Sequence, residues 1–183
     1  MGVDGADING DGWLEIHVTN FSRETNNLFM REAPGSYTEA VQGSSLGRSF
    51  DRLGFGTVFG DFDLDGDLDL SIANGHVDDM VEINSRETGI SYLQPPDLLL
   101  NDGKGRFSPA LQPGAAFGKE YVGRGLASAD YDNDGDLDLL LLTIDQGAVL
   151  LRNNQNSREK PTPNYPPIDR KSVLSGKSVH PRV

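Results

Sequence analysis

The sequence predicts an all-β protein built from repeated units of four short strands. Three observations support this fold class: an aspartate-rich loop occurs three times, a short apolar strand follows each loop, and no segment shows sustained helical periodicity. Four-stranded units repeated in this way are typical of β-propeller blades. The 183 residues contain about two and a half to three blades and an irregular C-terminal tail, so one chain holds an incomplete ring.

The acidic loops share one spacing of polar and glycine residues. The three copies are DINGDGWLE (7–15), DFDLDGDLD (61–69) and DYDNDGDLD (130–138), and all fit the pattern D-x-[DN]-x-D-G-x-x-[DE]. The apolar segments LEIHV, DLDLSI and DLDLLLL follow the loops, and glycine-flanked runs such as GTVFGDF precede them. Each unit is therefore predicted as strand, acidic turn, strand, loop, strand, glycine turn and short strand.

A second repeated element marks the outer half of each unit. The segments NLFMREAPGSY (27–37) and DLLLNDGKGRF (97–107) each contain an apolar run, a glycine turn and a terminal aromatic residue. The third copy keeps its apolar run, AVLLRNN (148–154), but has Arg158 in place of the aromatic residue. The third unit is therefore predicted to be incomplete. The predicted repeats are about 1–50, 51–118 and 119–155.

Composition and charge exclude several classes of protein. The formal net charge of −12 argues against nucleic acid or an anionic membrane surface as a partner, and no stretch approaches the length of a membrane span. The absence of cysteine excludes disulfides, a thiol nucleophile and thiolate metal sites. Residues 156–183 contain half of the ten prolines and carry a net charge of +4, against −16 for residues 1–155. They are predicted to form a Pro-rich basic tail or linker.

The acidic loops have the composition of calcium sites. Side chains at loop positions 1, 3 and 5 converge only if the chain turns sharply, and the glycine at position 6 permits that turn. The acid at position 9 and the backbone carbonyl at position 7 complete an all-oxygen shell, which suits Ca²⁺, whereas zinc and copper prefer imidazole or sulfur. Up to three Ca²⁺ ions are expected. The predicted ligands are Asp7, Asn9, Asp11, Trp13 and Glu15 in the first loop, Asp61, Asp63, Asp65, Asp67 and Asp69 in the second, and Asp130, Asp132, Asp134, Asp136 and Asp138 in the third.

The loops admit two other interpretations. An EF-hand needs a glutamate at position 12, where this chain has Val18, Ile72 and Leu141, so that interpretation fails in all three copies. Acidic turns that simply face water are the other alternative, and three copies in the same strand context favour metal binding over it. Without a cation, each loop would also collect three or four like charges within a few ångströms, which opposes folding.

The chain resembles a known family over about residues 2–155. The tripled loop in its β context is similar to the FG-GAP (VCBS-like) repeats of integrin-α-type propellers. Segments such as QPPDLLLNDGKGRF and VGRGLASADYDNDGDLDLLL are more specifically similar to the repeat region of ASPIC/UnbV proteins, the cartilage acidic protein group. The resemblance implies a calcium-binding propeller, extracellular or at the cell surface, that acts in adhesion or interaction. Asn9 and Glu15 depart from the usual aspartates of the family.

The predicted function is a calcium-stabilised module that recognises a protein or a glycan and is not an enzyme. The long loop 75–96 is the expected binding surface. Since a ring needs at least about four blades, other copies of the chain or blades outside this sequence are expected to complete it. The alternatives are a structural subunit of a larger assembly or a carbohydrate-active enzyme. The enzyme's catalytic acids would lie outside the acidic loops, among Asp78, Asp79 and Glu82.

Overall fold

The computed structural model contains three antiparallel β-sheets, which confirms the all-β prediction and the incomplete set of blades. The structure describes residues 1–40, 45–84, 89–144 and 146–155, without the side chains of 45 and 82–84. The predicted tail, 156–183, and Arg158 with it lie outside the described residues. The boundaries proposed for the repeats stay a prediction.

The strands of each sheet follow one another in chain order. The first sheet contains β1 (Val3–Ala6), β2 (Glu15–Val18), β3 (Asn27–Ala33) and β4 (Ser36–Glu39). The second sheet contains β5 (Gly54–Gly60), β6 (Asp69–Asn74), β7 (Asp97–Asn101) and β8 (Phe107–Pro109). The third sheet contains β9 (Gly123–Ala129), β10 (Asp138–Thr143) and β11 (Gly147–Leu151). Within the described ranges, three short 3₁₀ helices lie in the connections, at Ser45–Asp51, Asp79–Asn84 and Ala115–Gly118.

The three sheets approach one another most closely at their first strands. Strand β5 lies beside β1 and also beside β9. Gly56 in β5 faces the backbone of Gly125 and Leu126, and a Cβ at this position would collide with main-chain atoms. The glycines that flank these strands in the sequence therefore serve close backbone approach rather than chain flexibility. This arrangement is the one expected where blades converge on a common axis.

The hydrophobic core lies between successive sheets. Leu28 of the first sheet and Leu70 and Phe107 of the second belong to one buried cluster. Leu139 and Leu151 of the third sheet form another with Phe62, which lies in the second acidic loop. Full burial of each such side chain contributes roughly 2 kcal/mol, so the contacts between sheets hold the repeats together.

Strand β2 presents its polar side chains, not its apolar ones, to the second sheet. Glu15 and His17 are fully buried, whereas Ile16 and Val18 on the opposite face are only half-buried. The Nδ1 atom of His17 lies 2.8 Å from the hydroxyl oxygen of Thr57. Burial lowers the pKa of His17 to about 4, so the imidazole is neutral at pH 7. A buried hydrogen bond between the sheets thus overrides the usual preference for an apolar inner face.

Candidate metal centres

The three acidic loops fold alike around the carboxylate at position 1. Asp7 accepts the backbone N–H of Asp11 at 3.1 Å and that of Gly12 at 2.9 Å. Asp130 accepts the N–H groups of Asp134 and Gly135, both at 3.1 Å, and Asp61 accepts that of Gly66 at 3.2 Å. The first aspartate therefore closes the turn with its own side chain before any ligand is considered.

Two residues of each loop have left-handed backbone conformations. Position 6 is the glycine that the sequence pattern identified, with φ of 87°, 94° and 97° in the three copies. Position 4 is also left-handed, with φ of 73° at Gly10, 64° at Leu64 and 57° at Asn133. The sequence analysis missed this second position. Its signal was present in the first and third copies, because glycine and asparagine are the residues that adopt this conformation most readily.

The second loop brings together three of its predicted ligands. Oxygen atoms of Asp61, Asp63 and Asp65 all lie within 4.8 Å of one another. The Oδ1 atom of Asp61 is buried and has no hydrogen-bond partner among the described residues. Burial raises the pKa of Asp63, and the neighbouring Asp65 raises it further. A group of hard oxygen donors with an unsatisfied buried oxygen fits a hard cation such as Ca²⁺.

The third loop brings together a different set. Here the close group is Asp130, Asp132 and Asp138, again within 4.8 Å, and the Oδ1 atom of Asp132 is buried without a hydrogen-bond partner in the described part of the chain. Asp134 lies outside this group and contacts Arg152, which also pairs with Asp132. Its hydrogen bond with Asp136 and its contact with Arg152 lower the pKa of the Asp134 carboxyl. This loop also fits a hard cation, with two carboxylates already in contact with an arginine.

The first loop offers fewer carboxylates. Asn9 replaces an aspartate at position 3, and its side-chain amide donates to Asp11 at 3.0 Å. Within the described ranges, Asp7, Asp11 and Glu15 do not form a close group of the kind found in the other two loops. The first loop is therefore the least prepared of the three for a metal ion.

The residues at position 7 are predicted to bind the metal through their backbone carbonyls, which leaves their side chains free to make other contacts. Trp13 stacks under the guanidinium of Arg31, with 4.0 Å between the arginine carbon and the ring centre. The Asp67 carboxylate lies against Gly103 in the glycine turn of the same sheet. Asp136 differs, because its side chain is fully buried and hydrogen-bonds with Asp134. The side chain of Asp136 is therefore buried within the protein and does not face outward.

The acid at position 9 has a role that the sequence analysis did not foresee. Asp69 accepts two backbone N–H groups at 3.0 Å, those of Phe62 in the loop and Asn101 at the end of β7. Asp138 accepts those of Tyr131 and Asn153 at 2.9 and 2.8 Å. Glu15 does the same with Ile8 and Arg31 at 3.1 and 3.4 Å. We call this acid, with its two donors, the clamp.

The clamp ties the acidic loop to the third strand of its own sheet. Burial raises the pKa of Asp69 to about 6, although its two backbone hydrogen bonds act in the opposite direction. Burial likewise raises the pKa of Glu15. Only Asp138 of the three clamp acids also belongs to a close carboxylate group in the described residues. Position 9 is therefore a structural support of the loop whether or not it also binds metal.

The repeated loops, clamps and four-stranded sheets together define a class of repeat protein. A family model of the FG-GAP-like repeat matches residues 7–72 and 78–141, and the two matches contain all three acidic loops. The chain belongs to the FG-GAP-like repeat family. No curated protein matches the chain. In the described part of the chain, no helix has the length and apolar character needed to cross a membrane.

Proposed function

We propose that the chain is a calcium-stabilised β-propeller module that recognises a protein or glycan at the cell surface or outside the cell. The observation that carries the proposal is the second loop, where three carboxylates converge beside a buried, unsatisfied oxygen of Asp61. Membership of the FG-GAP-like family supports a binding module. The resemblance of segments such as QPPDLLLNDGKGRF to ASPIC/UnbV repeats is our reason for proposing an extracellular one. Extracellular calcium modules function with dissociation constants of about 0.1 to 1 mM.

In this proposal the ion acts as a staple rather than as a catalyst. Bound Ca²⁺ supplies positive charge and coordination sites for carboxylates that otherwise repel one another. The chain prepares the site itself: the carboxylate at position 1 shapes the turn, and the clamp at position 9 fixes the loop to its sheet. Asp63 and Asp65 would hold the ion together with Asp61, and Asp130 and Asp132 would hold a second one.

Calorimetric titration with CaCl₂ tests the metal assignment. Asp65→Asn removes one charge of the second loop and keeps its size, so it is expected to reduce the number of bound ions by about one. Glu120→Gln is the matched control, since Glu120 is exposed and lies outside the loops. Stoichiometry that is equal in both variants and in the unmodified chain would refute the assignment of Asp65.

The side chains of His76 and Asp78 are both engaged in local hydrogen bonds, which supports a structural role for them. The Nδ1 atom of His76 lies 3.1 Å from the backbone nitrogen and 3.2 Å from the carbonyl oxygen of Asp78, so this residue offers a partner to either tautomer. The Nε2 atom lies 3.3 Å from the hydroxyl oxygen of Ser22. The Asp78 carboxylate accepts the backbone N–H of Met80 at 2.9 Å. Asp79, the second acid proposed for an enzyme, is exposed. The side chain of the third, Glu82, lies outside the described residues.

We place the recognition surface on the loop 75–96, as the sequence analysis did. Val77 and Met80 in this loop have 54% and 59% of their surface exposed, which suits them to contact a ligand. A glycan array and turnover assays on the same glycans test this: saturable, calcium-dependent binding without product is expected. Turnover that survives Asp65→Asn but not Asp78→Asn would instead support the enzyme.

A structural role in an assembly is supported by the outer face of the third sheet. Leu140 and Leu150 are cross-strand neighbours on this face, and they and Leu142 are 40% to 49% exposed. The corresponding faces of the first and second sheets are covered by the sheet that follows. We propose that the first sheet of a second copy covers it, and light scattering after size-exclusion chromatography tests this. An oligomer that Leu142→Glu dissociates is expected, whereas a stable monomer would refute it.

A further inference from the structure

Arg152 places a positive charge on the third acidic loop. Its Nη2 atom lies 2.6 Å from Oδ2 of Asp132 and 3.4 Å from Oδ2 of Asp134. These aspartates occupy loop positions 3 and 5, which the sequence pattern assigns to the ion. The guanidinium therefore contacts two carboxylates that are predicted metal ligands.

The clamps show that this arginine is particular to the third unit. In each unit the clamp acid accepts one backbone N–H from the third strand or just beyond it. The residues that donate it occupy equivalent positions in the three units, and they are Arg31, Asn101 and Asn153. The residues that precede them are Met30, Leu100 and Arg152. Two of the three equivalent positions are thus uncharged. Among the described residues, no lysine or arginine pairs with a carboxylate of the second loop.

The close carboxylate groups of the two loops differ at position 5. In the second loop the close group consists of positions 1, 3 and 5, and in the third loop it consists of positions 1, 3 and 9. The missing member is Asp134, at position 5, which contacts Arg152 and hydrogen-bonds with Asp136. Arg152 and the loss of position 5 from the group thus occur in the same loop.

We propose that Arg152 is a built-in competitor of the metal in the third loop. Its guanidinium pairs with Asp132 and Asp134 when no ion is bound and leaves them when Ca²⁺ enters. This inference rests on the calcium sites proposed above. The third loop then binds Ca²⁺ more weakly than the second. Because the arginine side chain is about half-exposed, the ion pair is weak, and the expected loss of calcium affinity is about fivefold.

Terbium(III) luminescence reports the third loop separately. Tb³⁺ is a calcium analogue that emits when a nearby tyrosine is excited. Tyr131 occupies position 2 of the third loop, where the second loop has Phe62. The full chain is titrated in a Trp13→Phe background, which removes the single tryptophan of the chain from the first loop. Tyr131→Phe is expected to abolish the emission, which assigns the signal.

The comparison is between Arg152→Gln and Arg106→Gln, an exposed arginine in the glycine turn of the second sheet. Arg152→Gln is expected to lower the half-saturating Tb³⁺ concentration about fivefold, and Arg106→Gln is expected to leave it unchanged. The inference would be overturned if Arg152→Gln and the chain with Arg152 had the same half-saturating Tb³⁺ concentration. It would also be overturned if Arg152→Gln and Arg106→Gln shifted that concentration equally. Arg152→Leu, which copies Leu100, replaces the glutamine variant if circular dichroism shows that the latter is unfolded. Absence of both Tb³⁺ emission and calcium binding would instead overturn the proposed function.

Discussion

At the scale of single residues, the acidic loops are shaped by backbone conformation as much as by charge. Each loop needs two left-handed residues, at positions 4 and 6, and the chain supplies glycine or asparagine at five of these six places. The exception is Leu64, with φ of 64°. A leucine in this region costs roughly 1 kcal/mol relative to a residue that enters it freely. The second loop thus combines the best group of carboxylates with the least suitable residue at position 4.

Replacement of Leu64 is therefore expected to stabilise the protein. Leu64→Asn should raise the free energy of unfolding by about 1 kcal/mol, because it removes this conformational cost and Leu64 is 43% exposed. Urea denaturation in the presence of CaCl₂ measures the change. The control is Leu14→Asn, a similarly exposed leucine at position 8 of the first loop, which should not stabilise. Equal effects of the two substitutions would contradict the explanation.

At the scale of the structural element, the clamp joins an acidic loop and a strand into one unit. The same carboxylate at position 9 bonds the backbone at position 2 and the backbone at the end of the third strand in all three repeats. The clamp also gives the true alignment of the repeats. It aligns Asn153 with Asn101. The sequence alignment that places Arg158 opposite Phe107 is therefore displaced by one residue from the alignment that the clamp gives. Apolar runs such as AVLLRNN cannot fix their own register, because several leucines in a row fit equally well.

The clamp is expected to stabilise the fold without metal. In the presence of EGTA, Asp69→Ala should lower the free energy of unfolding by about 3 kcal/mol, because it leaves the buried N–H groups of Phe62 and Asn101 without an acceptor. Urea denaturation measures the change. Asp63→Ala under the same conditions should cost little, since it relieves repulsion in the loop. If Asp69→Ala and Asp63→Ala both lose stability only when calcium is present, the acid at position 9 is a metal ligand and not a structural support, which would contradict the clamp.

At the scale of the whole molecule, stability depends on the contacts between sheets. The first strands approach so closely that β5 has room only for glycine at position 56. Gly56→Ala is expected to destabilise the protein by about 3 kcal/mol, because either strand must move to accommodate the methyl group. Gly118→Ala, where a Cβ would meet no atom within 4 Å, is the control. Thermal denaturation compares them, and a melting temperature lowered equally by both would refute the close approach.

Calcium removal is expected to affect the molecule as a whole. At 100 times the dissociation constant, each bound ion adds about 2.7 kcal/mol of stability. Two occupied loops would then contribute about 5 kcal/mol, and EGTA should lower the melting temperature by about 10 °C or more. Added CaCl₂ should restore it. A melting temperature that is identical in EGTA and in CaCl₂ would refute the proposal that the loops bind calcium.

The sequence by itself determined the parts of this protein that are local. The loop pattern, the glycine at position 6 and the alternating strands depend on neighbouring residues, so the three acidic loops and the all-β class were predictable from spacing alone. Their repetition also indicated the family. The same pattern could not distinguish one aspartate from another inside a loop, because residue type does not reveal which carboxylates converge.

Only the tertiary structure decided what depends on residues distant in sequence. It assigned the position 9 acids to clamps with strands 15 to 32 residues further on, buried His17 against Thr57, and brought Arg152 onto Asp132 from 20 residues away. These contacts arise when strands and sheets meet in three dimensions, and no local propensity encodes them. Three loops that share one sequence pattern therefore differ in their capacity to hold an ion.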